Sequence, residues 1–264
     1  MLSRFFAAYS RVPVGLYAAA LAYYALLGLF PLLLLIVGLA GIVLAKSPGL
    51  YESFKAELEL LVAQLFPASK EAAEEILRAL TSGAPSFTLG SLALLFWTQS
   101  HFFAALSAVL SEVFGTRPRA WRTRFLGLLG PVLLGLALML ASVFSLAAGI
   151  VIGLLPEGPW RSLASPLATY AASVIVIFFI YRFLPDPPPK TLSALLFAAL
   201  AALGWSGVVW AVGRFLPVKQ YALVYGPLAG PALLLLGFYL LMWVLITGAV
   251  ALAAFERSDI SPSE

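Results

Sequence analysis

The chain contains no cysteine, so disulfides, thiolate metal sites and a cysteine nucleophile are excluded. It has one histidine, His101, which rules out a multi-histidine metal centre. No nucleotide-binding loop and no His-Glu-x-x-His segment occurs, so direct ATP use and zinc-protease chemistry have no sequence basis. Charge is scarce as well. Charged residues make up 11% of the chain, against about 25% in ordinary soluble domains, and they lie in the gaps between apolar runs or, as Glu112, Arg182 and Arg214, near a run's end.

Long apolar stretches fill the rest. Apolar residues reach 62%, more than a water-soluble domain of this size could bury. Six runs stand out, at about 17–45, 87–115, 125–155, 163–183, 191–216 and 227–255. A helix of about 20 apolar residues crosses about 30 Å of hydrocarbon, and all six runs are long enough. The expected fold is all-α: a single polytopic membrane domain over 1–264, with six transmembrane helices. The run that begins at Tyr17 is longer than the apolar core of a cleaved signal, so a retained first span is expected.

Basic residues set the expected orientation. Arg4 and Arg11 precede the first span, and Arg117, Arg119, Arg122 and Arg124 crowd the loop after the second. Arg182 and Lys190 flank the fourth connection, and Arg257 follows the sixth run. With six spans these nine charges share one side against seven on the other, which places both termini in the cytoplasm. The arginine cluster after the second span would also attract anionic lipid, although fixing topology is its simpler role.

The segment between the first two spans reads as an amphipathic helical hairpin over 50–84, on the outer face. Phe54, Leu58, Leu61 and Leu65 follow helical spacing. Ser69 suits the cap of a second helix, and Gly83 suits its end. Within the spans, Pro31 and the stretch from Gly226 to Pro231 interrupt regular hydrogen bonding. Such breaks either line a cavity or are absorbed by neighbouring helices. Gly149 with Gly153, and Gly226 with Gly230, would allow close helix approach.

Polar groups at hydrocarbon depth are costly, so those present are candidate functional residues. Gln99 and His101 lie mid-way along the second span. Tyr23 and Tyr24 lie early in the first. Together with Pro31 and Tyr225 they form the candidate substrate path. The candidate headgroup contacts are Arg117, Arg119, Arg122, Arg124, Arg182, Arg214 and Lys219. Each has a plain structural alternative: interhelical hydrogen bonding for Gln99 and His101, aromatic anchoring for the tyrosines, snorkelling or end-anchoring for the cations. Glu112 is placed to pair with Arg117 or Arg119.

Four segments resemble the YihY/BrkB family of bacterial inner-membrane proteins. The first span carries Leu21-Ala22-Tyr23-Tyr24 and then Phe30-Pro31. The second carries LFWTQSHFFAALSAVLSEVFG ahead of the basic loop. Tyr181-Arg182-Phe183-Leu184-Pro185 follows the fourth span, and Tyr225-Gly226-Pro227-Leu228-Ala229-Gly230 opens the sixth. The resemblance implies a six-helix protein of the bacterial cytoplasmic membrane. It brings no settled activity: members carry ribonuclease BN, virulence-factor or lipid-precursor export labels. The family's last helix often reads Gly-Ala-Glu-Leu-Asn, but here the stretch is Gly248-Ala249-Val250-Ala251-Leu252. A mechanism that needs that glutamate is therefore in doubt for this chain.

RNA hydrolysis needs a metal–carboxylate cluster or a histidine acid–base pair, and neither pattern is present. No enzyme activity, cofactor, metal or nucleic-acid partner is expected. The leading expectation is a transporter or flippase for lipid or lipid-like amphiphiles, with membrane lipids and an anionic amphiphile as its partners. The alternative is a non-transporting scaffold that binds a partner through the outer hairpin. Homo-oligomerisation stays open.

Overall fold

The computed structural model describes residues 2–44, 85–116, 125, 129, 160–186, 188–215 and 226–260. The described residues form helices joined by turns and short irregular segments. A short helix, α1 (Leu2–Tyr9), leads into α2 (Val14–Leu44). Then come α3 (Pro85–Val113), α4 (Trp160–Phe183) and α5 (Thr191–Phe215). A 3-10 turn at Gly226–Leu228 opens the last helix, α6 (Ala229–Ile260). Among the described residues, four helical stretches are long and apolar enough to cross a membrane: Ala93–Val113, Pro166–Phe183, Thr191–Phe215 and Ala229–Arg257. The apolar part of α2 described with its side chains, Val14–Leu29, is shorter. The expected third span at 125–155 (apart from residues 125 and 129) and the hairpin at 50–84 lie outside the described residues.

Five of the apolar runs therefore coincide with helices, and punctuation explains their ends. The backbone of α2 stays helical through Pro31. Three prolines at 187–189 hold off α5 until Thr191. Gly226 adopts a left-handed φ of 53°, which turns the chain into the 3-10 segment before α6.

The chain divides into two compact units, and the divisions fall inside α2, α3, α5 and α6. The first unit comprises 1–21, 100–210 and 240–264. Its core is built from Leu21, Phe103, Leu106, Leu110, Ile177, Tyr181, Leu245 and Ile246, with many alanines between them. The second unit comprises 22–99 and 211–239 and buries Ala22, Thr98 and Ala229.

The α5 helix shows the logic most clearly. Its buried stripe is Ser193, Ala194, Phe197, Ala198, Ala201 and Ala202. Its leucines point the other way: Leu192 is 78% exposed and Leu203 58%. A water-soluble helix puts its leucines inside and its small polar residues out. Here small residues let helices approach while leucines face outward, which is how membrane helices pack, because lipid tails are as apolar as leucine. In the same unit, Gly204 of α5 lies under Val244 of α6, and a Cβ at Gly204 would sit 2.9 Å from a Val244 methyl.

Candidate functional site

In the second unit, Gln99 turns toward α2, and its amide lies against Gly28 so closely that a Cβ at Gly28 would overlap it. Thr98 is buried next to it, and its hydroxyl donates to the carbonyls of Leu94 and Leu95 at 2.9 and 3.1 Å. That bonding satisfies the hydroxyl within its own helix. Tyr23 is 55% exposed, and its ring meets Tyr24 edge-on at 5.8 Å. Arg214 is exposed in the last turn of α5.

In the first unit, His101 is exposed and lies near the middle of the Ala93–Val113 span. Eleven residues further on, close to three helical turns, the register brings Glu112 to the same side of α3. Glu112 is exposed and accepts a hydrogen bond from the Tyr17 hydroxyl of α2. The sequence directs attention to Arg117 and Arg119 as partners of this carboxylate; both lie outside the described residues, and Tyr17 is the partner found.

Near Glu112 the helix ends are tied together. The α3 helix closes with a left-handed Gly115 at φ 73°. The Gly115 amide donates to Glu112 and the Thr116 amide to Ser111, at 2.9 and 2.8 Å. This is the paired bonding that consumes free carbonyls at a helix terminus. The Arg257 guanidinium of α6 donates to the Val113 carbonyl at 3.2 Å. One residue earlier, a Glu256 carboxylate oxygen accepts the Lys190 amide at the start of α5, at 2.9 Å. The acidic side chain thus meets a helix N-terminus and the basic one a helix C-terminus, as the backbone dipoles favour.

Deeper in this unit, Tyr181 is fully buried and its hydroxyl donates to the Leu245 carbonyl at 2.6 Å. Gly248 makes room for it: a Cβ there would overlap the Tyr181 hydroxyl and lie 3.0 Å from Ala201. Val250 and Leu252 stand where the family pattern carries acidic and amide side chains, and both are buried in this core. Apolar side chains at these buried positions need no hydrogen-bond partner, as an acidic or amide side chain there would. Tyr170 of α4 likewise donates to the Ala199 carbonyl at 2.9 Å. Arg182 is half-buried and lies over the Phe183 ring, 5.9 Å from its centroid.

Of the remaining candidates, Pro31 has a described backbone only. Tyr225, Lys219, Arg117, Arg119, Arg122 and Arg124 lie outside the described residues. Gln99 packs between helices, His101 and Tyr23 lie on exposed faces, and Arg182 and Arg214 lie near helix ends. Sequence reading missed Tyr17, Glu256, Tyr181 and Gly248 as contact-forming residues, and used Arg257 only as a topology charge. Among the described residues no group of three or more His, Asp or Glu side chains could hold a metal.

Apolar helices of spanning length, and an α5 helix with its alanines inside and its leucines outside, define an integral membrane protein built as a helical bundle. The family model "Virulence factor BrkB" matches residues 5–263, and the chain belongs to that family. It is 29% identical over 260 residues to the UPF0761 membrane protein Smlt0865 of Stenotrophomonas maltophilia, covering 92% of this chain and 58% of that protein. It is 27% identical over 274 residues to the UPF0761 membrane protein azo3165 of Azoarcus sp., covering 93% and 62%. It is also 27% identical over 227 residues to the UPF0761 membrane protein IL2447 of Idiomarina loihiensis, covering 81% and 78%. The chain thus spans about three fifths of the length of the first two relatives. No solved structure matches it.

Proposed function

We propose that this chain is a multi-pass protein of the bacterial cytoplasmic membrane, with both ends on the cytoplasmic side, that moves lipid or lipid-like amphiphiles with an acidic head between leaflets. The observation that carries this reading is the exposure of His101 near the middle of a span. An imidazole presented on an exposed helix face at that depth is a polar group within reach of a passing polar head. The surrounding apolar helix faces suit acyl tails. Within the second unit, Tyr23 and Arg214 are exposed as well, and a phenol hydroxyl and a guanidinium are groups that bind an acidic head.

The test is reconstitution of the purified protein into liposomes that carry a fluorescent anionic phospholipid. Exchange between leaflets is read by chemical quenching of the outer leaflet. Exchange faster than in protein-free vesicles, and several-fold slower with His101→Ala, supports the reading. Exchange at the protein-free rate under pH, sodium and potential gradients removes it.

A further inference from the structure

The α1 helix is joined to the first span by only four residues. In this tight turn the Ser10 amide donates to Phe6 at 2.9 Å and the Arg11 amide to Ala8 at 3.2 Å. The Val14 amide donates to Val12 at 2.8 Å, and the Tyr17 amide to Pro13 at 3.1 Å. So short a link keeps α1 at the level where α2 enters the bilayer. Its sequence is two-sided. Leu2, Phe5, Phe6 and Tyr9 recur at helical spacing, while the register sets Ala7 on the opposite strip. Phe5 meets Phe6 at 5.6 Å and Tyr9 at 5.8 Å, forming one aromatic patch, and Phe6 is 65% exposed. Arg11 is exposed in the turn, Arg4 adds a second charge in sequence, and the first acidic residue of the chain is Glu52.

We propose that α1 docks on the lipid surface. Phe5, Phe6 and Tyr9 lie in the boundary between headgroups and acyl chains, and Arg11 meets anionic headgroup phosphates. The chemistry is that of an interfacial amphipathic helix: an aromatic face buried a few ångströms deep and basic groups held at the phosphates. The uniformly positive charge of this end of the chain matches an anionic leaflet. The proposal does not depend on transport.

The absence of native cysteine makes the test direct. Phe6→Cys and Ala7→Cys are each labelled with a nitroxide in the full-length protein, reconstituted into nanodiscs rich in phosphatidylglycerol. A label at position 6 that oxygen reaches better than a water-soluble nickel chelate, with the reverse at position 7, is the expected result. Adding Arg11→Gln makes the position 6 label shallower in anionic discs and leaves it unchanged in zwitterionic ones. Equal access of the nickel chelate to both positions overturns the proposal. Spin–spin broadening at position 6 that disappears on dilution with unlabelled protein also overturns it, since a second copy would then cover the face.

Discussion

Tyr181 and Gly248 form a matched pair in which the glycine leaves the room that the tyrosine hydroxyl needs. Tyr181→Phe removes one buried hydrogen bond, for which about 1 kcal/mol is expected in a membrane protein. Thermal unfolding in detergent measures that loss. Gly248→Val forces a branched side chain into Tyr181 and Ala201, and overpacking of this kind costs about 1–3 kcal/mol. The expected order is therefore wild type, then Tyr181→Phe, then Gly248→Val, in falling stability. Gly115→Ala costs about 1 kcal/mol from its left-handed backbone alone, and its Cβ would also come within 2.7 Å of the Arg257 guanidinium. None of these pairings was legible beforehand. Tyr181 stands beside Arg182 at the end of a span, and its acceptor lies 64 residues away. His101 was legible as a polar residue at depth; whether it turned inward like Gln99 or outward was not. Neighbouring positions on a helix differ by about 100°, and only packing selects the face.

Whole helices were far more legible than contacts. The run expected at 191–216 is a helix over Thr191–Phe215, and the run at 87–115 is one over Pro85–Val113. Length and continuous apolarity suffice for this, because a backbone in lipid must satisfy its own hydrogen bonds. The α1 helix escaped the same reasoning, since eight residues make no apolar run. Nor does composition show which side of a helix is buried. In α5 the alanine side is buried and the leucine side exposed, the reverse of a soluble helix. This inversion has a measurable consequence. Ala198→Leu overfills the seam and is expected to cost about 1–3 kcal/mol, whereas Leu196→Ala on the outer face changes stability little. Thermal unfolding in lipid nanodiscs ranks the two. A greater loss for Leu196→Ala would mean that this face packs against protein.

At the scale of the molecule, the membrane class follows from composition and is matched by the outward leucines of α5, while sidedness rests on the distribution of basic residues alone. Fusions of a periplasm-active and a cytoplasm-active reporter to each end are expected to show both ends on the cytoplasmic side. Opposite sides would imply an odd number of crossings and displace the six-span reading. The arginine cluster at 117–124 could be read as a topology signal without its structure, because the rule depends on charge count near a span end. The polar ties at the ends of α3 and α5 could not, since they depend on one turn of α6 carrying Glu256 and Arg257 side by side. Their place in the chain also bears on biogenesis. A ribosome completes α3 and α5 before α6, so two helix termini emerge without the side chains that will close them and wait for the last turn made. A nascent chain halted short of Glu256 would hold every earlier helix yet present those open termini, a difference that membrane quality-control proteases could use to tell a finished molecule from an interrupted one.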